Sequence, residues 1–139
     1  MNFIISLIRR LTTTKVFPVT WTIITLALLC LPGKAIPGLG LFGIKNLDKV
    51  AHIGLFGGFV LFWGVYAWHK KKSVSTWKYI LLGITLLSIL IGIVMEYVQL
   101  NYIPNRSFDV WDIWADVAGS VLIAFILIFY GKALKLTID

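Results

Sequence analysis

The chain has 139 residues, 59% of them hydrophobic and 14% charged, with a mean hydropathy of +0.91. That leaves room for one domain and excludes an ordinary soluble globular protein. The net charge of +7 does not indicate nucleic-acid binding, because the basic residues gather at the ends of apolar runs, where they report topology and contact with anionic lipid.

The first residues, NFIISLIRRL, set Ile4, Ile8 and Leu11 on one helical face and Asn2, Ser6 and Arg9 on another. This pattern fits a short N-terminal helix lying in the membrane interface, or a basic leader. A first apolar span follows at about 17–31, with Pro18 in its first turn and Pro32-Gly33 as its stop. Arg9, Arg10 and Lys15 ahead of an apolar core, with Gly33-Lys34-Ala35 behind it, also raise a secretory leader as an alternative. Residues 32–47 read as a loop, with a re-entrant turn at Pro37-Gly38-Leu39-Gly40 as one option. A second span, about 49–68, opens with Asp48 as the expected N-cap, and Gly54 and Gly58 are expected to smooth one side of it for helix packing. After the His69-Lys70-Lys71-Lys72 turn come a third span at about 77–99 and a fourth at about 111–130. The expectation is an all-α polytopic membrane protein, one domain with four transmembrane helices. Its single cysteine, Cys30, excludes an intrachain disulfide.

Four spans place the N-terminus, the turn between spans two and three, and the C-terminus on one side, together with Arg9, Arg10, Lys15, Lys70, Lys71, Lys72, Lys78, Lys132 and Lys135. The other side has Lys34, Lys45, Lys49 and Arg106, so the positive-inside tendency makes both termini cytoplasmic. Tyr66, Trp68, Trp77 and Tyr79 are expected at the inner interface, and Tyr97, Tyr102, Trp111 and Trp114 at the outer one.

Five of the six acids in the chain, Asp48, Glu96, Asp109, Asp112 and Asp116, then fall at the extracytoplasmic end. Asp48 and His52 are four apart, Glu96 and Gln99 three apart, and Asp109, Asp112 and Asp116 stand at i, i+3 and i+7, so each set shares a helix face. Ionisable groups within a span are costly unless they face one another. Asp48, Asp109 and Asp112 have a structural reason to be there, since they can cap or complement helix N-termini. Glu96, near a helix C-terminus, has none and calls for a partner, Arg106 or His52. With Lys49 and Arg106 counted, three negative charges remain in excess, which points to a protonated carboxyl or a bound cation. His52 and Glu96 are the candidate acid and base. Asp, Glu and His are also possible metal ligands, but the chain has no H-E-x-x-H helix or other closed signature, so no metal and no cofactor is assigned. Ser107 lacks a nucleophile turn, and no glycine-rich phosphate loop is present.

Asp48-Lys49-x-x-His52, Glu96-x-x-Gln99 and Pro104-x-Arg106-Ser107-Phe108-x-x-x-Asp112-x-x-Ala115-Asp116-x-x-Gly119, in this order, resemble the VanZ-like family. That family takes its name from a membrane protein of glycopeptide-resistance clusters associated with teicoplanin resistance. This chain departs from the pattern at Asp116, where Asn is common, and in the added acid Asp109. The resemblance implies a small polytopic protein of the bacterial cytoplasmic membrane, in contact with membrane lipids. It supplies no reaction, and it does not specify an oligomeric state. The leading expectation is a polar pocket binding a cell-envelope ligand, a lipid-linked cell-wall intermediate or an amphiphilic glycopeptide. The expected lining is Asp48, Lys49, His52, Glu96, Gln99, Arg106, Asp109, Asp112 and Asp116. Two alternatives stay open, an enzyme acting on a lipid headgroup and a proton- or cation-coupled transporter.

Overall fold

A chain in hydrocarbon must satisfy its backbone hydrogen bonds internally, and each apolar run here does so as an α-helix. The computed structural model describes residues 13–32, 46–71 and 73–130. The expected interfacial helix and the Pro37–Gly40 turn lie outside the described residues. The helices are α1 (Val16–Leu29), α2 (Leu47–Lys70), α3 (Val74–Tyr102) and α4 (Val110–Tyr130). The three later helices are each long and apolar enough to cross a membrane, and α1 is a shorter apolar helix of 14 residues. The protein is therefore an all-helical integral membrane protein.

Helix ends follow local chemistry. Ser73 caps α3 by accepting the Thr76 backbone N–H at 3.1 Å, which extends that helix one turn before the expected start. The expected cap Asp48 is instead inside the first turn of α2; the N-cap is Asn46 in the left-handed region (φ 61°), with no side-chain cap bond. Asn tolerates that conformation better than most residues. Asp48 still complements the helix dipole from its first-turn position.

The helices run alternately up and down, so α2 and α4 are parallel and form the most extensive pair, with α3 packed on both and α1 on α2. Polarity is inverted relative to a water-soluble bundle. Along α3 the large side chains of Leu82, Leu86 and Leu90 are exposed, while Thr85, Ser88, Glu96 and Gln99 are buried. Such an arrangement is stable when lipid, not water, surrounds the outer face. Within the bundle Ser88 and Ser120 hydrogen-bond at 2.8 Å between α3 and α4.

The close approach of α2 to α4 depends on Gly57 and Gly119. A Cβ at Gly119 would collide with the Ile53 backbone carbonyl, and one at Gly57 would press on Gly119 and Ile123. Gly58 instead receives the Trp21 indole of α1, whose Nε1 donates to the Leu55 carbonyl at 2.9 Å. Gly54, expected to share this packing, has no atom within 4 Å of an added Cβ. It is one turn before Gly58 but on the side that α1 and α4 leave open.

Opposite the acidic end, Trp68 and Trp77 meet edge to face at 4.6 Å, with Leu81 and Leu127 around them. Both indoles were expected at the interface, but they are buried, at 3% and 1% exposure. The Trp77 indole N–H donates to the Gly64 carbonyl at 2.9 Å, which removes the reason for that ring to seek water. Tyr79 on this end, and Tyr97, Tyr102, Trp111 and Trp114 on the other, are exposed.

Candidate functional site

The parallel pairing of α2 and α4 sets their first turns side by side, and the antiparallel α3 brings its C-terminal turns to the same level. Lys49 on α2 faces the acidic stripe of α4. Its Nζ lies 2.8 Å from Asp48 Oδ2, 2.7 Å from Asp109 Oδ2 and 2.9 Å from Asp112 Oδ1. One turn deeper, His52 Nδ1 lies 2.8 Å from Asp116 Oδ1, and His52 Nε2 is 3.8 Å from Asp112 Oδ2. Asp112 thus bridges two layers, an ammonium above and an imidazole below.

Glu96 reaches this group from α3. Its Oε2 accepts the Asp109 backbone N–H at 2.9 Å. The ion pair expected with Arg106 does not form among the described residues. Arg106 Nε instead donates to the Leu31 carbonyl at 3.4 Å, and Gln99 Nε2 donates to the Leu29 carbonyl at 2.9 Å. Carbonyls at a helix C-terminus have no intrahelical donor. Gln99 and Arg106 meet that need at the end of α1, so they brace α1 instead of completing the charged cluster. The free N–H groups at the α4 start supply what Glu96 lacks, because antiparallel packing sets the C-terminal part of α3 against the positive end of α4.

Asp109 is the N-terminal anchor of α4. Its Oδ1 accepts the Trp111 N–H at 2.8 Å, its carbonyl accepts the Asp112 N–H at 3.1 Å, and its Oδ2 takes Lys49. The Lys49 hydrogen bond holds the Asp109 carboxyl below the ordinary aspartate value of 3.8.

Burial deepens along α4. Asp109 is partly exposed, whereas Asp112 and Asp116 are 5% and 1% exposed, and on the facing helices His52 and Glu96 are 5% and 1% exposed. Asp116 Oδ2 is buried without a hydrogen-bond partner among the described residues and lies against Gly92, where a Cβ would collide with it. Gly92 was not singled out from the sequence. Its signal was its position four residues before Glu96, on the same α3 face.

Among the described residues, two groups of three gather their ligand-type atoms within 4.8 Å of one another, namely Asp48, Asp109 and Asp112, and His52, Glu96 and Asp112. The first surrounds Lys49. Among the described residues, with Arg106 bonded to Leu31, this end gathers five carboxylates and one lysine, which pairs with three of them, a formal excess of four negative charges before His52 is counted. The cluster can therefore hold cations, share protons or receive hydrogen-bond donors, and it is poorly suited to an anion. No protein-family model matches the chain, and neither a curated protein nor a solved structure matches it.

Proposed function

We propose that this chain is a VanZ-like protein of the bacterial cytoplasmic membrane, with both termini cytoplasmic and the acidic cluster on the extracytoplasmic side, where it binds a cell-envelope ligand. The carrying observation is the buried set His52, Glu96, Asp112 and Asp116 at one end of a bundle whose outer face is apolar. Beside it an apolar groove begins at Ile53 and Gly54 and passes Gly57, Gly58, Leu61 and Ile123. A polar group next to an apolar groove favours an amphiphile, with its headgroup at the carboxylates and an acyl chain along the groove. Such a ligand is a glycopeptide of the teicoplanin kind, or a lipid-linked cell-wall intermediate that meets the carboxylates with its sugar and peptide hydrogen-bond donors and keeps its phosphate away from them. Contribution to teicoplanin resistance is the physiological form of this reading.

The experiment compares teicoplanin susceptibility of a Gram-positive host expressing the wild type, Glu96→Gln or Gly54→Leu at matched membrane abundance. The wild type is expected to protect, Glu96→Gln to lose protection, and Gly54→Leu, which fills open space, to weaken it. Equal susceptibility of the wild-type strain and the empty host ends the resistance reading.

A second reading, acid–base catalysis on a lipid headgroup, is favoured by the His52–Asp116 hydrogen bond, the arrangement that orients a catalytic imidazole. It requires turnover with a bell-shaped pH profile that His52→Ala abolishes.

A further inference from the structure

We infer that His52 Nε2, Asp112 Oδ2 and a Glu96 carboxylate oxygen form a binding site for one divalent transition-metal ion, zinc in the first place. The cluster is more than an accumulation of acids. Each of its three side chains is more than nine-tenths buried. His52 Nε2 makes no hydrogen bond among the described residues; it is aimed at Asp112 Oδ2, 3.8 Å away, beyond hydrogen-bond reach. In the neutral tautomer whose Nδ1–H donates to Asp116, the Nε2 lone pair is directed toward carboxylate oxygens. That is an unfavourable juxtaposition, which a cation between them reverses.

Distances agree with a shared ion. Zinc holds nitrogen at about 2.0–2.1 Å and carboxylate oxygen at about 2.0–2.2 Å, so two of its ligands stand up to roughly 4 Å apart. The His52–Asp112 separation of 3.8 Å lies inside that limit, and the widest separation in the trio, within 4.8 Å, needs a modest contraction.

Every member of the trio is also held from behind. Asp116 accepts from His52 Nδ1, Lys49 binds the other oxygen of Asp112, and the Asp109 N–H holds Glu96. Outer partners of this kind fix the tautomer and orientation of metal ligands. One imidazole with two carboxylates is a borderline donor set, which suits zinc or manganese better than a soft or a purely hard ion. Three protein ligands leave a position open for water or a ligand group. The more exposed Asp48 and Asp109 form an acidic rim through which a cation approaches.

The test needs no drug phenotype, so its outcome is separate from the ligand reading. The full-length chain, purified in detergent or nanodiscs, is stripped with chelator, titrated with Zn²⁺ and then with Co²⁺, and analysed for bound metal and for Co²⁺ absorption. One metal per chain is expected, lost in His52→Ala and Asp112→Asn. Asp116→Asn is expected to weaken affinity by about 10–100-fold. Asp48→Asn, which removes a rim acid but none of the three ligands, should weaken uptake much less than Asp112→Asn does. A wild type that takes up no stoichiometric Zn²⁺ or Co²⁺ overturns the site, even where the variants fail to fold. Equal loss of metal in Asp48→Asn and Asp112→Asn also overturns it, because attraction to acidity alone then accounts for binding.

Discussion

The two ends of the bundle are held by opposite means. At one end Trp68, Trp77, Leu81 and Leu127 pack as an apolar core, with the Trp77 indole N–H closed by the Gly64 carbonyl. At the other, Lys49 joins three carboxylates and His52 joins a fourth. Lipid offers no hydrophobic drive between helices, so the apolar end depends on shape and one satisfied donor. The charged end is stable only while each ion keeps its partner, and it carries an excess of negative charge that packing does not require. An apolar residue in those positions would satisfy the fold at lower cost. That asymmetry is what singles out the acidic end as the candidate site.

The largest expected effect tests the charged end. Lys49→Met leaves three carboxylates facing one another and should cost about 3 kcal/mol, the lower part of the range for breaking a buried pair because Lys49 is 23% exposed. Thermal unfolding in detergent reads this, and adding Asp112→Asn should recover part of the loss. If Lys49→Met is neutral, the ammonium is not what holds that end together.

Trp77→Ala probes the apolar end and should cost about 2–3 kcal/mol, less than in an aqueous core because lipid replaces part of the lost contact. Trp77→Phe removes the bond to Gly64, worth about 1 kcal/mol, together with part of the buried ring. A phenylalanine variant as unstable as the alanine variant would assign the indole hydrogen bond, not packing, the larger role.

Acid should separate the ends directly. Because Lys49 holds the Asp109 pKa below 3.8, their bond contributes fully above that value and is lost as pH falls through the lowered folded value. Hydrogen-exchange protection of the Trp111 amide, bonded to Asp109 Oδ1, should drop under those conditions while the Trp77 indole N–H stays protected. Parallel loss at both ends would mean that the bundle opens as one unit. The smallest effect is expected from Arg106→Ala, within about 0.5 kcal/mol in the same unfolding assay, since its bond to Leu31 is long and exposed. A large loss would show that bracing α1 is central to the fold.

Much of this was legible in the sequence. Run lengths and hydropathy were enough for the three long apolar helices and for the shorter α1, expected as a fourth span, because the cost of unpaired backbone in lipid forces each run into a helix. The periodicity of Asp109, Asp112 and Asp116 was enough to assign them one face, and helix alternation was enough to bring five acids to one end. Partner choice was not legible, because it depends on rotation and depth between helices that are far apart in the chain. The sequence offered Arg106 or His52 to Glu96; packing turned Arg106 to the α1 terminus, brought the Asp109 N–H to Glu96 and left His52 nearby. It offered Gly54 as a packing surface; packing used Gly57 against Gly119 and left Gly54 facing the groove. Local rules determine which residues are helical and which face they share, whereas the contact between faces is a property of the assembled bundle, where sub-ångström fits at Gly57, Gly92 and Gly119 decide which charges meet.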